Sequence, residues 1–442
     1  MENRDTIFAL STAMGRSGVA VIRVSGASAW EGCQSLLQTQ TLPIPRQAVT
    51  RKLYNPVTHE LLDNAMIIGF RAPASFTGED CIEYHVHGGI AIIQGVLSVL
   101  SGLKNHRMAQ PGEFTRRAFE NEKMDLTAAE AVADLIHAET ESQRLQALKQ
   151  MDGALFNLYE DWKNRIARLL ALLEADLDFS DQDLPDELLL KVRPDVSDVM
   201  HEIYHHINDG RRGELLRDGF RLVILGAPNA GKSSLLNRLV QRDAAIVSPV
   251  AGTTRDVIDV HLNLGGYPVV LADTAGLRTS DDMIEGEGIR RAIDRANQAD
   301  LKILLFDGTS KPDEKTLSLM DNQSVLVINK SDAKECASFD TDNKAIIISA
   351  LTGDGIENLI EILIERMKNQ IGGSDTPALT RARHREALEK TYESLTRSIS
   401  AALPELVAED LRLAVRYLGS LTGRVDVEDL LDMIFRDFCI GK

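Results

Sequence analysis

The sequence predicts an α/β domain with a doubly wound sheet, set between helical segments and preceded by a region of short strands. Three observations predict it. The stretch FRLVILGAPNAGKSSLLN, from Phe220 to Asn237, reads as a buried strand, a glycine-rich loop and a helix. From there to about Gly372, short apolar runs alternate with helical patterns, as in a sheet covered by helices. On both sides of that block, from about residue 113 and again after Gly372-Gly373, apolar residues recur at helical spacing.

A chain of 442 residues suffices for about three domains with ample core. Hydrophobic residues at 44% and charged residues at 26% fit an ordinary globular protein. No apolar run approaches a membrane span, and MENRDTIFAL lacks a basic segment followed by a long apolar one. The expectation is therefore no membrane and a cytoplasmic location. Cys33, Cys81, Cys336 and Cys439 are scattered with no C-x-x-C pair, which fits a reducing compartment. A net charge of −17 excludes a protein that wraps nucleic acid by broad electrostatic attraction. Any RNA contact must be local or shared with a partner.

In the first 120 residues, Gly15-Arg16-Ser17-Gly18 reads as a turn and Val19 to Val24 as a strand. Alternation puts Val19, Val21 and Arg23 on one face. A guanidinium among apolar neighbours takes either a structural carboxylate, the commoner case, or an anionic ligand. Cys81, Glu83, His85 and His87 share one face of a later strand. They read as a polar pocket wall better than as a metal site, because residues two apart on a strand diverge and no later cluster adds ligands.

The helical pattern that follows shows Thr127-Ala128-Ala129-Glu130 as a capping box. A second helix reads through Leu155, Leu158, Trp162, Ile166, Leu169, Leu170 and Leu173, an acidic loop spans Asp176 to Asp183, and a third helix runs from Pro185 to Asn208. That third helix contains His201-Glu202-Ile203-Tyr204-His205, a match to the zinc-protease motif H-E-x-x-H. The longer form of that motif wants Gly at 208 and His at 211, where this chain has Asn208 and Arg211. No protease domain follows, so a surface helix accounts for the match.

In the α/β block, Gly226 to Ser233 (GAPNAGKS) fill the phosphate-loop template. Its glycines let backbone N–H groups curl round phosphates, Lys232 neutralises them, and Ser233 offers a hydroxyl to Mg²⁺. Val247 to Asp256 (VSPVAGTTRD) is a polar loop suited to closing on the γ-phosphate and Mg²⁺. The strand Val269 to Ala272 delivers Asp273-Thr274-Ala275-Gly276, and Val325 to Ile328 ends in Asn329-Lys330-Ser331-Asp332. Asp332 can accept two hydrogen bonds from guanine that adenine does not offer. Ile346 to Ile348 ends in Ser349-Ala350-Leu351. Four short motifs in register after a phosphate loop identify a guanine-nucleotide domain. The position that holds a water-orienting glutamine in Ras-like proteins is Leu277, so the catalytic group must come from elsewhere. Asp281, Asp282, Glu285 and Glu287 are open alternatives. Beyond it, helices read over Arg381 to Leu403, Glu405 to Leu418 and Val427 to Phe435, and the chain ends FCIGK. Gly441 and Lys442 do not suit a prenylation signal after Cys439.

Taken together, GAPNAGKSSLLN, AGTTRD, DTAGLR, NKSD and the terminal FCIGK resemble the MnmE (TrmE) family of tRNA-modification GTPases. The resemblance extends to SFTGED, HGG and PGEFTRRAFENEKMDLTAAEAVADLI, and so to essentially the whole chain. It implies a P-loop GTPase domain (219–372) inserted in an all-α helical domain (121–218 and 373–442), behind an α+β folate-binding and dimer-forming domain (1–120). It implies a homodimer that joins a FAD-containing flavoprotein, MnmG, in a heterotetramer. That assembly places a carboxymethylaminomethyl group on C5 of the wobble uridine of certain tRNAs, in a K⁺-dependent GTP-hydrolysing cycle. A tetrahydrofolate derivative, 5-formyl or 5,10-methylene, supplies the carbon.

The residues that the resemblance nominates are Arg23, Glu83, Lys123 and Lys442 for folate, Ser233 and Thr254 for Mg²⁺, and Asn229, Ser248, Val250 and Thr253 for K⁺. Ser248 departs mildly from the threonine that members often carry there. GTP falls to Asn229, Ala230, Gly231, Lys232, Ser233 and Ser234; to Ser248, Pro249, Val250, Ala251, Gly252, Thr253 and Thr254; to Asp273 to Gly276; to Asn329 to Asp332; and to Ser349 to Leu351. Glu285 matches the catalytic glutamate, and Cys439 is a candidate reactive thiol. The alternative, a ribosome-assembly GTPase, shares the nucleotide motifs but neither the folate-like domain nor the CIGK tail.

Overall fold

The computed structural model describes residues 5–38, 40–178, 187–242, 260–271, 296–333, 345–372, 377–425, 431–432, 434–435, 438 and 441. The chain forms two compact units, Met1–Ala133 with Leu418–Lys442, and Asp134–Tyr417.

The first unit is built on six strands, β1 (Thr6–Leu10), β2 (Ser17–Ser25), β3 (Val49–Tyr54), β4 (Leu61–Phe70), β5 (Cys81–Gly88) and β6 (His106–Met108). Their order is β3-β4-β5-β2-β1-β6, antiparallel except where β6 runs parallel to β1. Alternation turns Ile22, Val24, Ile67 and Tyr84 to one face, where Trp30 and Leu36 of α1 (Ala29–Leu37) and Ile93 and Val96 of α2 (Ile90–Ser101) bury them. The opposite face therefore carries Val21, Arg23, Glu83, His85 and Met66. Arg23 thus shares its face with Val21, as alternation predicts, and has the Phe76 and Phe114 rings and Ala9 as apolar neighbours. On that side α3 (Glu113–Glu120) packs Phe114 against Ile7 and Ala9 of β1.

α4 (Leu126–His137) starts one residue before the predicted capping threonine. Asp125 is the cap: its Oδ1 accepts from the Thr127 N–H at 2.8 Å, the Ala128 N–H at 3.2 Å and the Thr127 hydroxyl at 2.5 Å. A carboxylate two residues upstream of Thr127 starts the helix earlier and takes up the threonine hydroxyl itself. The capping box lies instead at Thr140 and Gln143, opening α5 (Glu141–Met151).

In the second unit, α6 (Ala154–Asp178) and α7 (Glu187–Ile207) pack together. The predicted acidic loop lies partly in the helix, and its remainder lies outside the described residues. After α8 (Arg212–Asp218) come β7 (Phe220–Leu225), α9 (Lys232–Arg242), β8 (Val260–Leu264), β9 (Tyr267–Leu271), β10 (Leu301–Asp307), α10 (Glu314–Leu317), β11 (Ser324–Asn329), β12 (Ile346–Ile347) and α11 (Ile356–Ile371). The sheet order is β12-β11-β10-β7-β9-β8, parallel except for the β8–β9 hairpin. Both faces are covered. One buries Leu222, Ile303 and Val327 under Leu235, Leu239 and Leu363, and the other buries Val223, Leu225 and Leu304 against Ala296 and Ala299. Next come α12 (Ala382–Ser400), which packs on α7, and α13 (Pro404–Thr422), where Pro404 supplies a first helical residue that needs no N–H partner. Among the described residues no helix is long and apolar enough to cross a membrane.

Candidate functional site

β7 ends at Leu225 and α9 begins at Lys232, so the loop between them lies at the carboxyl end of a parallel strand, where doubly wound sheets bind ligands. A helix start carries backbone N–H groups outside the intrahelical ladder and the positive end of the helix dipole, both suited to an anion. Lys232 turns back over this loop, its Nζ donating to the Gly226 carbonyl at 2.9 Å and the Ala227 carbonyl at 2.8 Å. Burial lowers the pKa of its ammonium. A half-buried cation resting on neutral carbonyls gains by exchanging them for phosphate oxygens.

Gly231 adopts φ +99°, and a Cβ there would stand 2.1 Å from Asn329 Nδ2. Only glycine meets both demands. Asn329 is buried at the end of β11. Its Nδ2 donates to the Ala230 carbonyl at 2.8 Å, and its Oδ1 accepts from the Ala350 N–H at 2.9 Å. One amide therefore ties the phosphate loop, the NKSD segment and the loop after β12 into a single surface. Ser349 Oγ donates to Asp332 Oδ1 at 2.5 Å, which steers that carboxylate to the same place. Lys330, at φ +67°, donates to Asp307 Oδ2 at 2.6 Å. Asn229 carries φ +65° at the exposed crest of the loop.

A second polar cluster lies on the open face of the amino-terminal sheet. Arg23 Nε donates to Glu83 Oε1 at 3.0 Å, with Nη2 at 2.9 Å from the same oxygen. The two residues face each other across the β2–β5 ladder. Both side chains are about one-fifth exposed, 20% and 19%. The Arg23 guanidinium lies 5.1 Å from the Phe76 ring centroid and 5.8 Å from that of Phe114. Gly78, at φ +78° in the following turn, packs against Lys123: a Cβ there would stand 3.2 Å from Lys123 Cγ. Arg117 braces the turn by donating to Glu79 Oε2 at 3.0 Å, and Asn121 Nδ2 donates to the Thr77 carbonyl at 2.7 Å. Ser11 Oγ donates to the Gly441 carbonyl at 3.0 Å, which docks the end of the chain beside β1.

Residues 6–123 match the amino terminus of the GTP-binding protein TrmE, and residues 126–439 match the MnmE helical domain. The tRNA modification GTPase MnmE of Parvibaculum lavamentivorans is 52% identical over 442 residues, covering 99% of this chain and 100% of that protein. The chain belongs to the MnmE (TrmE) family of tRNA modification GTPases. The MnmE of Rhodospirillum rubrum is 49% identical over 454 residues, with 99% of each chain covered. The mitochondrial 5-taurinomethyluridine-[tRNA] synthase subunit GTPB3 of Danio rerio is 46% identical over 471 residues, covering 99% of this chain and 93% of that protein.

Of the residues nominated by resemblance to the MnmE family, the structure brings Asn229 to Ser234, Asn329 to Asp332 and Ser349 to Leu351 together at one sheet end. It brings Arg23 and Glu83 into contact and sets Lys123 against the adjoining turn. Ser248 to Thr254, Asp273 to Gly276, Leu277, Asp281, Asp282, Glu285, Glu287, Cys439 and Lys442 lie outside the described residues. Sequence reasoning missed Arg238, whose Nε donates to the Ala350 carbonyl at 3.3 Å and whose Nη2 donates to that of Leu351. It also missed Asp307, the partner of Lys330. The helix phase after the phosphate loop gave a signal for Arg238; nothing local marks Asp307.

The H-E-x-x-H match is a surface feature of α7. Glu202, the base such a protease requires, accepts from Trp162 Nε1 at 2.7 Å and from Arg165 Nη1 at 2.9 Å. The exposed His201 and His205 meet each other, Nε2 to Nε2 at 2.9 Å. Among the described residues no group of three or more His, Cys, Asp or Glu side chains is arranged to hold a metal ion.

Proposed function

We propose that this chain is a K⁺-dependent GTPase that acts with a FAD-containing flavoprotein to add a carboxymethylaminomethyl group to C5 of the wobble uridine of certain tRNAs. One observation carries the nucleotide half: Asn329 joins three loops through bonds of 2.8 and 2.9 Å, so phosphate and base recognition share one surface. Whole-length family membership carries the tRNA half.

On this reading Lys232 leaves the carbonyls of Gly226 and Ala227 for the phosphates of GTP, a movement its position already allows. Asp332, steered by Ser349, accepts the paired donors of guanine. The donors fit the ions assigned to them: Ser233 and Thr254 offer hydroxyls that would hold Mg²⁺, and the Asn229 side-chain carbonyl, at an exposed crest, would share K⁺ with Ser248, Val250 and Thr253. The two cations would supply the positive charge that offsets the transferring phosphoryl group. Glu285 would orient the attacking water, a task that Leu277 cannot perform.

The amino-terminal cluster fits a reduced folate. Arg23 and Glu83 give one cation and one carboxylate on an open sheet face, with an aromatic ring beside them and Lys123 at the adjoining turn. Lys442 follows Gly441, which is docked on that unit, and Cys439 precedes it. When bound, the folate would supply a one-carbon unit. We assign the amino-terminal domain to a homodimer contact. We place the helical domain on both sides of an inserted GTPase domain, a division supported by the packing of α12 on α7. Nucleoside analysis of tRNA from cells lacking this protein tests the proposal. The modified wobble uridine should disappear, and its persistence would refute the function.

A further inference from the structure

We propose that His85 is a third ligand-contacting residue of the Arg23–Glu83 site, its Nε2 forming a hydrogen bond with the bound reduced folate. The inference rests on the folate reading of that site. His85 stands one pleat along β5 from Glu83 on the same sheet face, paired with Val21 on one side and Met66 on the other. Its Nε2 is buried and has no hydrogen-bond partner among the described residues. Glu83 Oε2 lies 3.6 Å away, beyond hydrogen-bond reach.

The neighbouring groups show what is left to this nitrogen. Arg23 takes Glu83 Oε1 with two nitrogens, at 3.0 and 2.9 Å, which leaves Oε2 as the oxygen on the His85 side. His87, the next residue on the face, is held by Asp63: its Nδ1 meets Oδ1 at 2.8 Å and its backbone N–H donates to Oδ2 at 2.8 Å. One strand face thus carries a tethered imidazole at its end and an untethered one beside the ion pair. A buried ring nitrogen with no partner carries a desolvation penalty that a bound polar group removes. A pterin edge presents ring and exocyclic nitrogens next to a carbonyl, so it can address Glu83 Oε2 and His85 Nε2 together. Either imidazole tautomer serves, because the edge offers both donors and acceptors.

Calorimetry of the full-length protein with 5-formyltetrahydrofolate is the test, with four proteins compared: the parent, Arg23→Ala, His85→Leu and His85→Gln. Leucine suits the space between Val21 and Met66 but makes no hydrogen bond, whereas glutamine returns a polar atom near the Nε2 position. Arg23→Ala should weaken binding by about 100-fold, His85→Leu by about 10-fold and His85→Gln by no more than about 3-fold. Thermal unfolding of each variant checks that it folds. If His85→Leu does not fold, the ¹⁵N shift of the His85 imidazole in the parent decides, and it should move when folate is added. Parent-like affinity in His85→Leu, or an unmoved imidazole, with Arg23→Ala still weakened would overturn the role of His85 and leave the site standing. Parent-like affinity in Arg23→Ala, or no binding by the parent, would overturn the folate reading and the role of His85 with it.

Discussion

The two six-stranded sheets place function differently. In the mostly parallel sheet both faces are buried, and the polar work falls to loops at the carboxyl ends of β7, β11 and β12. In the mostly antiparallel sheet one face is left open, and the polar cluster stands on the strands themselves, Arg23 on β2 and Glu83 and His85 on β5. The first arrangement keeps each functional group within a short contiguous segment. The second assembles groups from strands 60 residues apart in sequence. A further difference lies in how the charged groups of the two clusters are paired. Lys232 rests on two neutral carbonyls, whereas Arg23 is already paired with a carboxylate. The nucleotide loop should therefore rearrange on binding, and the sheet cluster should act as a preset surface.

The largest effect is expected at the loop site. Asp332→Asn removes the acceptor pair for guanine, and GTP affinity should fall by about 10³-fold or more, read by titration with a fluorescent GTP analogue. A loss under tenfold would place guanine recognition elsewhere and break the contrast between loop and face.

How much of each site was legible in the sequence follows from the same contrast. GAPNAGKS and NKSD could be read because each motif is one short segment after a strand, and α9 follows the first. That Asn329 spans Ala230 and Ala350 is a tertiary fact, since its partners lie 99 and 21 residues away. On the amino-terminal sheet, alternation gave the shared face of Glu83, His85 and His87. It could not give the register that sets Arg23 opposite Glu83, nor say which imidazole Asp63 would hold. The start of α4 was misplaced for a local reason: Thr127 looked like the cap, but Asp125 accepts from the Thr127 and Ala128 N–H groups and from Thr127's own hydroxyl. The fold class was clearer than its details because it rests on periodicity summed over many residues.

Next in size is catalysis. Glu285→Ala should slow GTP turnover by about 10²- to 10³-fold while sparing GTP binding, measured by phosphate release alongside the same titration. Full activity would return the role to Asp281, Asp282 or Glu287.

A third test sharpens the comparison by asking for an effect that belongs to neither site. His206 is packed edge-on against Trp162 and Tyr159, with ring centroids 5.4 and 5.9 Å away. Burial first, and then the charges of His384, Arg212 and Arg385, lower its pKa to about 4. Because the unfolded chain binds this proton near pH 6.5 and the folded chain does not, stability should fall as pH drops from about 6.5 to 4. The loss attributable to this one group is about 3 kcal/mol. Urea midpoints of the parent and His206→Gln across that window should diverge, the variant losing less. Parallel curves would remove His206 from the acid response.

The smallest expected effect is ionic. Replacing Na⁺ by K⁺ should speed GTP hydrolysis by about tenfold, and Asn229→Ala should abolish the gain. Equal rates in the two salts would take the ion out of the loop site.

The central claim is that loop site and sheet face serve one reaction on tRNA although each binds its own ligand. Nucleoside analysis of tRNA from a deletion strain carrying the parent, Asp332→Asn or Arg23→Ala tests it most directly. The parent should restore the modified wobble uridine and neither variant should, although purified Arg23→Ala still binds GTP like the parent. Full modification in cells carrying Arg23→Ala would contradict the account, because the open sheet face would then have no part in the chemistry.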